Sequence, residues 1–336
     1  MKLAIHYTSA DWSFCQYWKS YCEECRIEYK LVNAYDSDIV QQLDDCDAFM
    51  WHHNHTIYKD HLFAKSLLVS LETAGKKVFP NYFTGWHFDD KLGQKYLFES
   101  VGAPLVKSYV FYDLQKVKKW VKQTTFPKVF KLRGGSGSSN VYYIKNQRVA
   151  LRYAKKAIQR GICTYNKFGA LKETLRKYNL KKTSFINVLK SIIHFFVRTK
   201  FSKQQGKEIG YAYFQDFIPN NSFDIRVVVI GNKAFAIRRS VRDNDFRASG
   251  SGIIDYSKDM LDERCVKISF DVTKKIKSQC AAYDFVFDYQ NEPFIIEVSY
   301  GFDQKGYNDC VGYWDDDMNW YEGKFNPQAW IVELLL

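Results

Sequence analysis

Asp284 and Glu297 stand thirteen positions apart in the stretch Tyr283–Ser299. This stretch reads as two apolar, β-branched and aromatic runs joined by Gln290, Asn291, Glu292 and Pro293. Those four are residues of tight turns. Paired as a hairpin, the two runs can bring both carboxylates to the same end of one face. Buried carboxylates are costly to desolvate and repel each other, so a cation is their natural resident. Ligands that are all oxygen suit Mg²⁺ or Mn²⁺, particularly when phosphate oxygens complete the shell. Otherwise the pair is two strand-end acids facing water.

Upstream lie residues suited to an anion. Phe223–Ile230 and Lys233–Val241 read as strands around a Gly231-Asn232 turn, a preferred hairpin loop. They carry Asp224, Arg226, Arg238 and Arg239, with Arg247 shortly after. Four arginines around one hairpin, with too few acids nearby to pair them all, make an anion clamp. Further back, Lys131 enters the run Gly134, Gly135, Ser136, Gly137, Ser138. Glycines let backbone N–H groups turn toward an anion at close range, and the serines add donors. No Gly-Lys-Ser/Thr closes this run, so it is not a Walker A loop. It is either a phosphate loop or an ordinary hairpin tip.

The elements that must position these groups follow from periodicity. Strands at 2–7, 27–32, 48–51 and 77–80 alternate with helices at 11–26, 36–44 and 57–74. That alternation predicts a small parallel sheet with helices on its faces. His52, His53 and His55 follow the third strand, where ligands of open parallel sheets bind. They line a substrate site or belong to a solvated loop. A helix over 89–102 has acids in its first turn and ends at Gly102 before Pro104, as the helix dipole and glycine capping prefer. Strands are expected at 106–111, 128–132, 141–144 and 211–217, with helices at 113–123 and 257–280.

Composition bounds the rest. The chain has 336 residues, 46% of them hydrophobic and 17% aromatic, enough for two or three packed lobes. No apolar window is long enough for a transmembrane helix, and the amino-terminal run is too short for a signal peptide. The eight cysteines lack framework spacing; Cys22 and Cys25 form one CxxC with no second pair to complete a zinc ribbon, and reduced cytoplasmic thiols fit better. Of the net charge of +12, more than the whole excess lies between Lys145 and Lys207, with seventeen Lys or Arg against Glu173 alone. Such a segment implies an anionic partner. Within it, the apolar run at 187–197 flanked by basic residues reads as an amphipathic helix for a membrane surface, or as an insertion packed on the body. No arrangement of aromatic platforms and basic residues marks a nucleic-acid module.

Taken together, the ordered motifs resemble the ATP-grasp superfamily, and within it the RimK-like carboxylate–amine ligases, over roughly 89–302. Asp90-Lys91 resembles the family's nucleotide contact. Phe126-Pro-Lys-Val-Phe-Lys131 with the glycine loop resembles its phosphate-covering loop. Gln215-Asp-Phe-Ile218 stands where the family's adenine hinge has Gln-Glu-Tyr-Ile. Asp224-Ile-Arg226 with Asp245-Phe-Arg247, and Asp284 with Glu297-Val-Ser299, resemble its Asp-Ile-Arg … Asp-Phe-Arg and Asp … Glu-Val-Asn patterns. Ser299 departs from the family's Asn, and the basic insertion exceeds the family norm.

The resemblance implies an ATP-grasp fold, two α+β lobes gripping ATP, preceded by a small parallel α/β domain. The expected domains are 1–88; 89–216, with glycine loop 133–140 and basic insertion 150–207; and 217–336, with the metal site and a Trp-rich tail. It implies that Lys91, Lys131, Gly134, Gly135, Ser136, Gly137 and Ser138 meet the phosphates. Gln215, Asp216, Phe217 and Ile218 would read adenine, Asp224 the ribose, and Arg238 would lie beside the nucleotide. Asp284, Glu297 and Ser299 would hold Mg²⁺, with Mn²⁺ an alternative, and Arg226, Arg239 and Arg247 would act at the reacting centre.

The implied reaction is amide formation through an acyl phosphate. The tail at 312–330 resembles those of ATP-grasp proteins found with bacterial surface-polysaccharide synthesis. It implies an amino acid or other small amine joined to a uronic acid or other glycan-linked carboxylate. The place of work would be the cytoplasm, with peripheral contact at the inner face of the membrane. Two other readings stand: a protein-modifying amino-acid ligase, and a catalytically silent ATP-binding module, for which Ser299 is the hint.

Overall fold

A computed structural model of the chain describes residues 1–135, 140–164, 183–196, 206–241 and 252–336, with positions 171, 174, 175 and 178. Two compact units emerge. One comprises Met1–Phe88, Gly93–Val106 and Ile218–Leu336; the other comprises Asp89–Leu92 and Lys107–Phe217.

The first unit opens with a four-stranded parallel sheet in the order Glu28–Val32, Lys2–His6, Ala48–Met50, Lys77–Phe79. Its central strands Lys2–His6 and Ala48–Met50 are short and mostly apolar because both faces are covered, as in other parallel sheets, whereas the edge strand Glu28–Val32 is partly exposed. Ala4, Phe49 and Val78 pack against Ala64, Leu67, Leu68 and Leu71 of the helix Tyr58–Thr73, whose i, i+3, i+4, i+7 spacing makes one apolar stripe. Leu3, Ile5, Met50 and Phe79 point the other way and share a core with Cys15, Trp18 and Cys22 of the helix Cys15–Glu24. That helix begins later than its periodicity predicts. The Phe14 N–H is taken by Nδ1 of His52 at 3.1 Å, so the turn before Cys15 is held by a side chain.

The same unit holds a seven-stranded sheet. Its main order is Pro293–Ser299, Cys280–Phe287, Phe223–Ile230, Lys233–Ser240, Gly312–Asp315, Trp320–Glu322, with Ile254–Asp255 also paired to Lys233–Ser240. Its pairings are antiparallel. One face, with Val227, Val229, Tyr283 and Phe285, packs on Cys265, Val266 and Phe270 of the helix Glu263–Ile276. The helix expected over 257–280 is shorter because the Asp262 carboxylate accepts from the Arg264 N–H at 2.9 Å to start it. Lys277, left-handed at φ 56°, stops it. The other face carries Val228, Ile230, Phe235 and Ala282 under Tyr300, Phe302 and Tyr307. Trp314 and Trp330 of the tail are core residues of these two faces.

The second unit is an antiparallel sheet in the order Ser108–Phe111, Ala212–Asp216, Lys128–Lys131, Val141–Ile144. The helices Leu114–Trp120 and Gln147–Gln159 cover it through Val117, Ala150, Ala154 and Ala157, which meet Phe130, Ile144, Ala212 and Phe214. Asp113 and Asn146 cap these helices by accepting from backbone N–H groups.

Two histidines of the first unit are buried as neutral acceptors. His6 Nδ1 accepts from the Ala34 N–H at 2.9 Å and His52 Nδ1 from that of Phe14. Burial pushes His6 down to about 4. Burial, with His55 adding to it, pushes His52 down to about 3. Protonation would put a second donor against each amide. The folded form therefore binds fewer protons than the unfolded chain below the ordinary imidazole value, and stability is lost as pH falls from about 6.5. At pH 5 each imidazole withdraws about 2 kcal/mol. Urea unfolding of wild type and His52→Gln at pH 7.5 and pH 5 measures this, with the variant showing the shallower pH dependence. Identical slopes would show that His52 is not held neutral.

Candidate functional site

The central strand Phe223–Ile230 sets the register of the site in the first unit. It pairs Asp224 with Arg239, Ile225 with Arg238 and Arg226 with Asp284. On the far side of Cys280–Phe287, Asp284 is opposite Glu297 and Ala282 opposite Ser299, with a register shift just after Asp284. Side chains alternate along a strand, so Asp224, Arg226, Arg239 and Asp284 share the face that carries Val228, Ile230 and Phe235.

There they form one ion-pair lattice. Arg226 donates from Nε to Asp284 Oδ1 at 2.5 Å and from Nη2 to Oδ2 at 2.7 Å. Arg239 donates from Nε to Asp224 Oδ1 at 2.8 Å, from Nη2 to Asp224 Oδ2, and from Nη2 to Asp284 Oδ1 at 2.9 Å. Forked guanidinium–carboxylate pairing of this kind fixes both partners. Burial pushes Asp224, which has no exposed surface, up to about 6 in spite of Arg239. Burial would raise Asp284 too, but Arg226 and Arg239 together outweigh it and hold that carboxyl down at about 2. Tyr307, buried beside Phe235 and Phe302, adds a phenol hydrogen-bonded to Arg226. Burial pushes it up to about 12, against the pull of both guanidiniums. Nothing in its sequence surroundings marked Tyr307 as a candidate.

Arg238 is not part of this lattice. It points to the opposite side of its strand, with its guanidinium 3.8 Å from the centroid of the Phe223 ring. Ser299 donates from its hydroxyl to the Gly301 carbonyl at 2.9 Å and accepts from the Gly301 N–H at 3.1 Å. A Cβ on Gly301 would come within 3.0 Å of His52 Nε2, so only glycine passes there without displacing the imidazole. His52 is stacked on Phe14 and His53 is packed against Phe88 and Tyr300. Both are buried rather than solvated, and His55 is half-buried against Phe88.

In the second unit Lys131 ends the strand Lys128–Lys131 and is buried. The backbone after it turns its donors toward acids. The N–H groups of Arg133 and Gly134 donate to Glu208 at 2.9 and 3.2 Å, and that of Gly135 to Asp89 at 2.7 Å. Lys91 donates from Nζ to the Gly135 carbonyl at 2.8 Å and from its own N–H to that of Arg133. A Cβ on Gly134 would meet Asp89 Oδ2 at 2.9 Å. This turn thus presents convergent N–H groups to carboxylate oxygens, the same geometry an anionic ligand oxygen uses. Asp216 is paired with Lys128 at 2.6 Å, Gln215 donates to Ser108 at 3.1 Å, and Phe217 meets Tyr143 edge-on. Ile218 begins the next segment of the first unit. Ser136, Gly137, Ser138 and Arg247 lie outside the described residues.

The donor set fits a hard cation. Asp284 and Glu297 are opposed in register, and Mg²⁺ typically takes one or two carboxylates with phosphate oxygens and water filling the rest. Among the described residues no group of three or more His, Cys, Asp or Glu could hold a metal.

Residues 183–312 match the model of the RimK-like ATP-grasp domain. Among curated proteins none matches the sequence. Solved structures with the same architecture include a RimK domain ATP-grasp protein from Sphaerobacter thermophilus, at 12% identity over 100% of this chain and 99% of that one, TM-score 0.56. D-cycloserine synthetase is similar at 11% identity, 100% and 99% coverage and TM-score 0.55. The biotin carboxylase domain of 2-oxoglutarate carboxylase from Hydrogenobacter thermophilus, solved with MgADP, ADP and bicarbonate, is similar at 12% identity. There the cover is 99% of this chain and 69% of that one, with TM-score 0.60. The likeness is one of fold: the chain has the ATP-grasp fold.

The lattice makes a stability prediction. Replacing Arg239 by Met leaves Asp224 buried without its fork, and breaking such a pair costs about 3–5 kcal/mol. Asp224 already titrates near 6 and rises further without the guanidinium, so at pH 5 it is protonated and most of the cost disappears. The expected result is a large loss of stability for Arg239→Met at pH 8 that shrinks at pH 5. Equal losses at both values would show that Asp224 is not the group left exposed.

Proposed function

We propose that the chain is an ATP- and Mg²⁺-dependent carboxylate–amine ligase that makes an amide through an acyl phosphate, joining an amino acid or other small amine to a uronic-acid or other glycan-linked carboxylate. The observation that carries this reading is the set Asp224, Arg226, Arg239, Asp284 and Glu297, held in register on adjacent strands inside the segment that matches the RimK-like ATP-grasp domain.

On this reading Lys91, Lys131 and the loop N–H groups take the nucleotide phosphates, and Gln215–Ile218 take the adenine. Asp224, closed in its fork with Arg239, positions that guanidinium instead of reaching the ribose, and Arg238 lies on Phe223 across the strand from it. Asp284 and Glu297, with Ser299 next along the strand, would hold Mg²⁺, which when bound neutralises phosphate charge. The substrate carboxylate oxygen bonds to the γ-phosphorus and ADP leaves. The amine nitrogen then bonds to the acyl carbon, loses a proton, and phosphate leaves with the former carboxylate oxygen. Arg226, Arg239 and Arg247 steady the developing negative charge at both steps. No covalent enzyme nucleophile is required, since positioning and charge neutralisation lower the barrier.

The glycan acceptor is supported by the tail's resemblance, and the basic charge between Lys145 and Lys207 suits an acidic glycan or a membrane surface carrying a lipid-linked sugar. A place of work in the cytoplasm is supported by the need for ATP and by eight cysteines without framework spacing. The local commitment of the Ser299 hydroxyl to Gly301 favours a second reading, a module that binds ATP without turnover.

Phosphate release from ATP with Mg²⁺ separates these. Release is expected only when a uronic-acid oligosaccharide and an amine are both present. Glu297→Gln should abolish it, and Arg247→Gln should lower it by about 10²–10³. Release driven by an acidic polypeptide in place of the glycan would replace the acceptor with a protein. Tight ATP binding with no acceptor-dependent release would leave the silent module.

A further inference from the structure

The helix Phe185–Phe196 in the second unit exposes four of its described apolar residues. Val188 is 4% exposed and anchors the helix, but Phe185 is 56% exposed, Ile186 63%, Leu189 45% and Ile192 39%. Positions i, i+1, i+4 and i+7 form one stripe on a helix, so this is a continuous apolar ridge facing solvent. Leu175 and Tyr178, 42% and 41% exposed, add to the apolar surface just before it, and the Tyr178 ring sits 5.9 Å from that of Phe185.

Charge selects what the ridge meets. The helix Gln147–Gln159 of the same unit buries Ala150, Ala154 and Ala157 and exposes Arg148, Arg152, Lys155 and Lys156 on its opposite side. Across Lys145–Lys207 the chain has seventeen basic residues and one acid. An acidic glycan or nucleic acid satisfies the cations but offers nothing to exposed Ile and Leu, which neither stack on bases nor bond hydroxyls. A protein groove satisfies the ridge without calling for so many cations. An anionic bilayer surface offers both an apolar boundary and a negative potential, worth about 1 kcal/mol per nearby Lys or Arg. The helix has twelve residues, against about 20 needed to cross. No helix among the described residues is long and apolar enough to span a membrane.

We propose that the Phe185–Phe196 helix lies in the plane of an anionic phospholipid membrane, with Phe185, Ile186, Leu189 and Ile192 inserted at the headgroup boundary and the basic charge of this stretch of sequence drawing it to the lipid phosphates. This anchoring concerns where the protein works and stands whether or not the ligase reading does.

Full-length protein is sedimented with vesicles of phosphatidylcholine alone or with about one-third phosphatidylglycerol. Binding to the anionic vesicles is expected, weakening as salt rises and absent from the neutral ones. Ile186→Asp with Leu189→Asp should reduce it at least about tenfold, the value of one large apolar side chain returned to water. ATP binding by that variant serves as the control for folding. Phe185→Trp in the otherwise unchanged chain should show a blue-shifted emission on adding anionic vesicles. Unshifted emission, equal binding by the double Asp variant, or binding to neutral vesicles alone would overturn the proposal. So would a dimer that the same variant dissolves in the absence of any vesicle binding, or retention of acidic polysaccharide but not of vesicles.

Discussion

Asp224 is the residue around which the larger sheet is arranged. It has no exposed surface, and an isolated carboxylate there would be far too costly to keep charged. The fork from Arg239 compensates it, and Arg239 in turn reaches Asp284, which Arg226 clamps from the other side. The four groups sum to zero charge and are spread over three adjacent strands. A slip of one residue in either pairing would turn Arg239 or Asp284 to the opposite face from its partners. The lattice therefore fixes register as well as charge, and it does so where Val228, Ile230 and Phe235 need the same register to form the core behind it.

That dependence explains which parts of the site could be read from the chain. The spacing of Asp284 and Glu297 within a hairpin was legible, because both lie on one local element and the turn residues between them are distinctive. The parallel sheet and the antiparallel hairpin of Phe223–Ile230 with Lys233–Ser240 were legible for the same reason. The pairing of Arg226 with Asp284 was not, since it joins strands separated by the whole Glu263–Ile276 helix. Grouping Arg238 with Arg239 neglected the pleat: adjacent residues of a strand point to opposite faces, and Arg238 accordingly lies on Phe223.

Histidines and tyrosines show a different limit. His52, His53 and His55 stand just past a parallel strand, the place where such sheets take ligands. Yet His52 serves to hold Phe14 and stacks on its ring, a role set by a loop thirty-eight residues earlier in the chain. Tyr307 reaches Arg226 from an irregular segment after Ser299, with no periodicity to announce it. Side chains that act through tertiary contact leave no trace in local spacing, whereas strand-borne charge does.

The lattice also bears on how a cation could come to Asp284. Each carboxylate oxygen already accepts from a guanidinium. A bare divalent ion arriving there would meet Arg226 and Arg239 at close range. A pair of unit positive charges at such a separation repels by about 4 kcal/mol at the effective dielectric of a protein surface, and the divalent ion faces two of them. Phosphate reverses that sign, since its oxygens accept from guanidiniums and coordinate the ion at once. On the ligase reading, Asp284 and Glu297 would hold a metal that neutralises phosphate charge, and Arg226 and Arg239 would face the phosphate oxygens. On that reading the arginines that offset the buried carboxylates of the folded sheet would also steady the charge that develops during transfer.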